Sequence, residues 1–240
     1  MSGEQRGQDE VLEPGPDEVD QRLREIGIPV DRVREALRRA HLAGEDIRLD
    51  PAFPRTFGGQ EIWGHGNGNF RALMKSLVTP WSFDDKDNIP WVVSPDGRIG
   101  ITMVRGNKYT GIDKRASTRR PRRTAGIRII RANNDARQYE LIRLQPPGRR
   151  GDVITLPANR QNYFLLYNQY IETRMGLDIN SVRWELSLAM GVTRGGRLIQ
   201  WQERLVLPEF DLYERDPDGG RGHPLPPPPD VHVPVERIAG

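Results

Sequence analysis

Val182-Arg183-Trp184-Glu185-Leu186-Ser187-Leu188-Ala189-Met190, followed after Gly191 to Gly196 by residues 197–207, is the stretch on which the fold turns. Val182, Trp184, Leu186, Leu188 and Met190 alternate with Arg183, Glu185, Ser187 and Ala189. Period-two alternation of this kind belongs to a strand with two unlike faces, so the pair reads as a long hairpin. Working towards the N-terminus, Pro90-Trp91-Val92-Val93-Ser94 and Arg98-Ile99-Gly100-Ile101-Thr102-Met103-Val104 bracket Pro95-Asp96-Gly97. There the proline sets a turn φ and the glycine can take φ > 0, which predicts a second hairpin with Ile99, Ile101 and Met103 on one face. Further strands are expected at 126–132 and 139–145, separated by Asn133-Asn134-Asp135, and at 163–172. No helical pattern long enough for a crossover separates these strands. The expected fold class is therefore α+β, a mainly antiparallel sheet with helices at one end or face.

Helical spacing appears before the sheet. Val19, Leu23 and Ile26 mark a helix over 17–26, and Val30, Val33, Leu37 and Leu42 mark a second that ends before Gly44. This N-terminal pair has the outline of a helix-turn-helix. The second helix carries Arg32, Arg34, Arg38 and Arg39, however, and the reading preferred is a solvated basic face on a helix docked to the sheet. After a loop marked by Pro51, Pro54, Gly58 and Gly59, one further short helix is expected from Phe70 to Val78, with Phe70, Leu73, Met74 and Leu77 as its stripe and Thr79-Pro80 as its stop. Residues 1–16 read as a disordered acidic tail, 17–208 as a single domain with a basic loop at 105–125, and 209–240 as an acidic, proline-rich tail. The run Pro224-Leu225-Pro226-Pro227-Pro228-Pro229 favours polyproline II and cannot enter a sheet interior.

The 240 residues hold 36 Lys+Arg against 33 Asp+Glu, a net charge of only +3. With no cysteine there is no disulfide framework, thiolate metal site or cysteine nucleophile. No apolar run approaches the roughly 20 residues of a spanning helix, and the first sixteen residues lack an apolar h-region, so a cytoplasmic protein without membrane contact is expected. The near-neutral total conceals a strong asymmetry. Residues 105–150 carry a net +11, while 1–50 and 203–240 carry −5 and −4. Lys114, Arg115, Arg119, Arg120, Arg122 and Arg123 fall in one ten-residue stretch, read as a mobile loop because it lacks apolar periodicity and contains Pro121.

Such a cluster calls for anions among its guanidinium groups, and nucleic-acid backbone, DNA or RNA, is the commonest of these. Arg105, Lys108, Lys114, Arg115, Arg119, Arg120, Arg122 and Arg123 are the expected phosphate contacts, with Tyr109 available to stack a base. Trp91, Trp184 and Trp201 read as core. The alternative partner is an acidic surface, either on another protein or from the chain's own Asp9, Glu10, Glu13, Asp17, Glu18 and Asp20.

Catalytic signatures are absent from the sequence: there is no Walker A loop, zinc-protease helix or Gly-x-Ser-x-Gly elbow. Gly64-His65-Gly66-Asn67-Gly68-Asn69 misses the dinucleotide fingerprint and reads as a loop that caps the following helix. Asp84-Asp85-Lys86-Asp87 offers carboxylates, but in the wrong order for a restriction-type nuclease. No catalytic residue, metal site or cofactor is expected. A divergent metal-dependent hydrolase built on His65, Asp84 and Asp87 stands as the third reading, behind a protein-interaction component.

Trp81 to Asn88, Val92-Val93-Ser94-Pro95-Asp96-Gly97-Arg98-Ile99-Gly100-Ile101, Gly106 with Thr110-Gly111, Trp184-Glu185-Leu186-Ser187-Leu188 and Trp201-Gln202-Glu203-Arg204-Leu205-Val206-Leu207-Pro208 together resemble a group of uncharacterised bacterial prophage and mobile-element proteins, over roughly residues 63–208. In that group an aspartate follows the turn glycine where this chain has Asn107. The resemblance implies no activity, only a bacterial cytoplasm and DNA-handling neighbours. The reading that results is a non-enzymatic accessory protein that grips nucleic-acid backbone through residues 105–123.

Overall fold

Strand pairing follows chain order: among the described residues, six strands form one sheet in the order β1-β2-β3-β4-β5-β6, with four helices around it. The structure, a computed structural model, describes residues 14–54, 56–85, 88–112, 115–143, 160–174 and 176–213, without the side chains of 123, 137–143 and 174. The helices are α1 (Pro16–Ile26), α2 (Val30–Leu49), α3 (Phe57–Lys75) and α4 (Arg123–Arg143). The strands are β1 (Ser82–Asp84), β2 (Trp91–Val93), β3 (Ile99–Arg105), β4 (Gln161–Arg174), β5 (Leu177–Val192) and β6 (Leu198–Asp211).

The α+β class is as the alternation predicts, and both hairpins form at the expected turns. Gly97 takes φ +73° after β2, and Gly196 takes φ +82° between β5 and β6. One pairing departs from the antiparallel expectation: β3 and β4 run parallel, from Ile99 opposite Gln161 to Arg105 opposite Tyr167. A parallel pair needs a crossover, and the chain supplies α4 between the two strands. The expected strands at 126–132 and 139–145 are thus corrected to helix through residue 143. The buried stripe of α4 is Ile129, Ile130, Asn133 and Ala136, so a polar residue occupies the centre of an apolar face and hides the helical period. Asn133 donates to the carbonyls of Asn162 (3.2 Å) and Ala189 (2.7 Å) and accepts from the Asn162 amide (2.7 Å), which docks α4 on β4 and β5.

α3 also differs, beginning at Phe57 rather than Phe70 and taking in the whole glycine-alternating run. Each interior glycine costs a helix roughly 0.5–1 kcal/mol, and tertiary contacts offset that here. A Cβ on Gly66 would lie 3.1 Å from Met103 Sδ, and one on Gly44 of α2 would lie 2.8 Å from the Gly58 carbonyl. Glycine is what lets α2 and α3 cross this closely, and α2 accordingly continues through Gly44 to Leu49. Asn67 secures α3 to β3 by donating to the Met103 carbonyl (3.3 Å) and accepting from its amide (3.2 Å).

Two cores result, one on each face. Val19, Leu23, Leu37, Phe70 and Met74 of α1–α3 cover Ile101, Met103, Tyr163, Trp184, Leu186 and Leu205. On the opposite face Ile129 and Ile130 pack with Trp91, Val104, Phe164, Leu166 and Trp201. Burial of Trp91, Trp184 and Trp201 agrees with their core reading, whereas Trp63 is partly exposed. The domain runs beyond 208: Pro208 lies within edge strand β6, and buried Leu212 donates its amide to the Asn180 carbonyl at 2.9 Å. Residues 1–13 and 214–240, which hold most of both expected tails, lie outside the described residues. Among those described, no helix is long and apolar enough to cross a membrane.

Candidate nucleic-acid interface

The basic segment is pinned to the sheet rather than set free of it. Gly106 bridges to Thr118, the Arg119 amide donates to the Arg105 carbonyl at 2.9 Å, and the Arg122 amide donates to the Gly196 carbonyl at 2.6 Å. Trp201 Nε1 donates to the Ala116 carbonyl at 2.8 Å, and Ala116, Ser117 and Thr118 are buried. The expected mobile loop is corrected on this point: small residues between the arginines sink into the sheet face while Arg115, Arg119 and Arg120 stay exposed.

Asn107 organises the turn. Its Nδ2 donates to the Arg115 carbonyl and the Ser117 hydroxyl, both at 2.9 Å, and its Oδ1 accepts from the Tyr109 amide at 3.0 Å. An aspartate could keep the last bond and accept from the Ser117 hydroxyl, but it would lose the bond to the Arg115 carbonyl and set a carboxylate oxygen against it. Asn107→Asp is therefore expected to destabilise the chain by about 1–3 kcal/mol, read as a lower urea midpoint at unchanged m-value. An unchanged midpoint would remove Asn107 from this role.

A buried ion pair supports the segment from below. Glu185 and Arg204, on adjacent strands β5 and β6, are 0% and 1% exposed, and Arg204 Nη2 lies 2.5 Å from Glu185 Oε2. The same carboxylate accepts from the Gly111 amide at 2.8 Å and from Ser187 Oγ at 2.9 Å. Gly111 is held at φ +69°, and a Cβ there would lie 3.1 Å from that of Arg183, so glycine is needed both for the backbone and for the close approach.

The expected contact residues fall into two groups. Lys108, Tyr109 and Arg115 form the first: Lys108 Nζ lies 5.1 Å and Arg115 Cζ 4.0 Å from the centre of the Tyr109 ring. Both cations are within cation–π range of the ring on which a base is expected to stack. Arg105, Arg119, Arg120 and Arg122 form the second. Burial lowers the Arg105 pKa, and the charges of Arg119 and Arg120 lower it further. Burial likewise lowers Arg122, with Arg120 adding to the effect. Among the described residues, no ion pair forms with any of these four arginines. Arg123 opens α4 and its side chain is outside the described set, as is Lys114 entirely.

Beside the second group lie residues that sequence reasoning missed. Tyr167 is paired with Arg105 across β3 and β4, and together with His41, Gly59, Ile62 and Gln169 they line a small recess. Tyr167 looks like any core strand residue in the sequence, and no local signal marks it. Burial pushes its hydroxyl up to about 12, against the pull of Arg105 and Arg122. His41 is fully buried, its Nδ1 2.9 Å from the Leu37 carbonyl, and burial chiefly holds its ring at about 4, so it is neutral near pH 7.

That depression has a measurable consequence for stability. Unfolded, the ring titrates near 6.5; folded, near 4, so between these values the unfolded chain binds the extra proton. Stability from this group is complete above pH 6.5 and is lost as pH falls through the window, by about 2–3 kcal/mol at pH 4.5. Urea unfolding at pH 7 and 4.5 should show this loss in the wild type and a smaller one in His41→Gln. Equal losses in the two proteins would assign the acid sensitivity to other groups.

The hydrolase constellation is not assembled around a common centre by any described contact. His65 pairs with Glu61 within α3 (3.1 Å), Asp84 with Arg160 (3.0 Å), and Asp87 lies outside the described residues. Among the described residues no group of three or more His, Asp or Glu could hold a metal ion. Of the acidic residues considered as a screen for the basic segment, Asp17, Glu18 and Asp20 are exposed on α1, which packs against β6, while Asp9, Glu10 and Glu13 lie outside the described set. No protein-family model, curated protein sequence or solved structure matches the chain.

Proposed function

We propose that this protein binds nucleic-acid backbone, without strong sequence preference, through the arginine surface formed by Arg105, Arg119, Arg120 and Arg122. The carrying observation is that four guanidinium groups crowd one end of the sheet, two of them desolvated, without an ion pair among the described residues. Crowded, desolvated cations are unfavourable by themselves and become favourable when phosphate oxygens lie between them. The anchoring of residues 105–122 adds to this, because a surface held in place loses less conformational entropy on binding. Arg115 and Lys108 extend the positive surface along the turn. A cytoplasmic, DNA-handling setting of the kind the resemblance implies belongs to the same proposal, as does the absence of a catalytic step.

Binding of labelled single- and double-stranded oligonucleotides at about 50 and 200 mM salt tests the proposal. Four phosphate contacts correspond to a log K against log salt slope of about −3 to −4. Binding with such a slope supports the reading. No binding at about 50 mM salt rejects it and transfers the arginine surface to an acidic protein partner.

A further inference from the structure

We infer that Trp63 is a stacking platform for an unpaired base, so that the ligand of the arginine surface is single-stranded nucleic acid. This rests on the function proposed above and names the class of strand. Of the five tryptophans, Trp81, Trp91, Trp184 and Trp201 are 6% exposed or less, whereas Trp63 is 40% exposed and packs in neither hydrophobic core. Trp184 and Trp201 also donate their indole N–H groups to carbonyls, each at 2.8 Å, and Trp63 makes no such bond among the described residues. A large apolar ring left at the surface of a helix is unfavourable in water and becomes favourable once a flat partner covers it.

Its position follows from the way α3 lies along β3. β2 pairs with β3 at Gly100 and Ile101, and beyond them the same edge of β3 is met by other groups. Asn67 bonds both the amide and the carbonyl of Met103, and the Arg119 amide donates to the Arg105 carbonyl at 2.9 Å. Residues two apart in a strand turn their backbone groups to the same edge, so Asn67 and Arg119 occupy neighbouring places on it. One helical turn back from Asn67, about 5.4 Å, is Trp63, and two strand residues on from Met103, about 6.6 Å, is Arg105. The two steps run the same way, because Gly59, a further turn back, is the residue that Arg105 reaches: a Cβ there would lie 3.6 Å from Arg105 Nη1. Trp63 is thereby level with Arg105 and Arg119.

The helix itself leaves the ring uncovered. Side chains on a helix lean towards its N-terminus, so the indole lies over the turn that contains Gly59, on the side of Arg105. Gly59 at i−4 and Gly66 at i+3 have no side chains to lie on it. Among the described residues no ring or cation stacks on Trp63, whereas Phe53 stacks on Phe57, Phe83 has Arg71 5.2 Å from its ring centre, and Tyr109 has Lys108 and Arg115. Charge suits the same occupant. The first turn of α3 holds no acid, and Glu61, about 200° around the helix from Trp63, lies 3.1 Å from His65. Arg119 and Arg120, both exposed, supply the neighbouring positive charge. A strand whose phosphates lie on these arginines can offer a base face to the indole only where its bases are unpaired, because in a duplex the faces are already stacked on one another.

Binding of the full chain to three ligands of one length at about 50 mM salt tests the inference: a single strand, its duplex, and an abasic strand with the same number of phosphates. The wild type should bind the base-bearing strand about tenfold more tightly than the abasic one, and more tightly than the duplex. Trp63→Ala should bind the base-bearing and abasic strands equally, at the wild-type salt slope, since a stacked base releases no counterions. Trp63→Phe keeps an aromatic face and should recover part of the preference. Equal wild-type affinity for the base-bearing and abasic strands, or a preference for the duplex, would overturn the inference and leave the arginine surface as proposed. Trp63→Ala weakening both strands alike would also overturn it, by assigning the indole to the support of the fold. No binding of any ligand would reject the nucleic-acid reading itself, and the inference with it.

Discussion

Arg204→Ala is expected to lower the unfolding free energy by about 3–5 kcal/mol. Arg204 is the cation that neutralises Glu185, and both residues are almost fully excluded from solvent. Truncation leaves a carboxylate in the protein interior with only the Gly111 amide and the Ser187 hydroxyl for company. Those two donors cannot replace a full positive charge in a low-dielectric site, so the group has to be neutralised or water has to enter. Replacing both charges, as in Glu185→Leu with Arg204→Leu, is expected to cost less than the single truncation, because the carboxylate at position 185 is not left behind unpaired. Urea unfolding of the wild type, the single and the double variant measures the difference. A single-variant cost below about 1 kcal/mol would mean that the pair is hydrated and that the segment above it is held mainly by its backbone bonds. Since Glu185 also holds Gly111, residues 106–118 should lose protection from hydrogen exchange first in Arg204→Ala.

Converting Arg119 and Arg120 together to alanine is expected to weaken oligonucleotide binding by about 10- to 100-fold at about 50 mM salt. It should also flatten the salt slope by nearly two units, one for each phosphate no longer neutralised. Both side chains are exposed and outside the described ion pairs, so their removal leaves the fold intact and the midpoint of unfolding close to that of the wild type. Arg24→Ala with Arg32→Ala removes the same charge from exposed positions on α1 and α2 and serves as the comparison. If binding depended only on net charge, the two double variants would weaken it equally. A larger effect at Arg119 and Arg120 locates the interface; equal effects reduce it to diffuse attraction.

How far the chain could be read in advance differs from element to element, and each difference has a physical origin. The β5–β6 and β2–β3 hairpins are legible because alternation and turn chemistry are local: Trp184, Leu186 and Leu188 declare one face, and Gly97 supplies the φ its turn requires. α1 is legible for the same reason, its stripe being apolar throughout. α4 is not, because Asn133 occupies the centre of its buried stripe and is satisfied only by carbonyls and an amide of β4 and β5. Nor is the first half of α3, where Gly64, Gly66 and Gly68 argue against a helix on propensity. Part of what overrides that propensity is the fit of Gly66 against Met103 and Ala40, which joins residues far apart in the chain.

The candidate site divides along the same line. By itself the sequence determined the α+β class, the two hairpins, the placement of Trp91, Trp184 and Trp201 in the core and the concentration of positive charge over residues 105–123. Each of these depends on neighbours within a few positions or on composition. Only the tertiary structure decided that β3 and β4 run parallel, that Glu185 and Arg204 lie buried beneath the basic segment, and that Arg105 meets Tyr167, His41 and the first turn of α3. Residues 41, 59, 105 and 167 come from four separate elements. Their convergence is set by strand order and helix crossing, which long-range burial selects and no local pattern encodes.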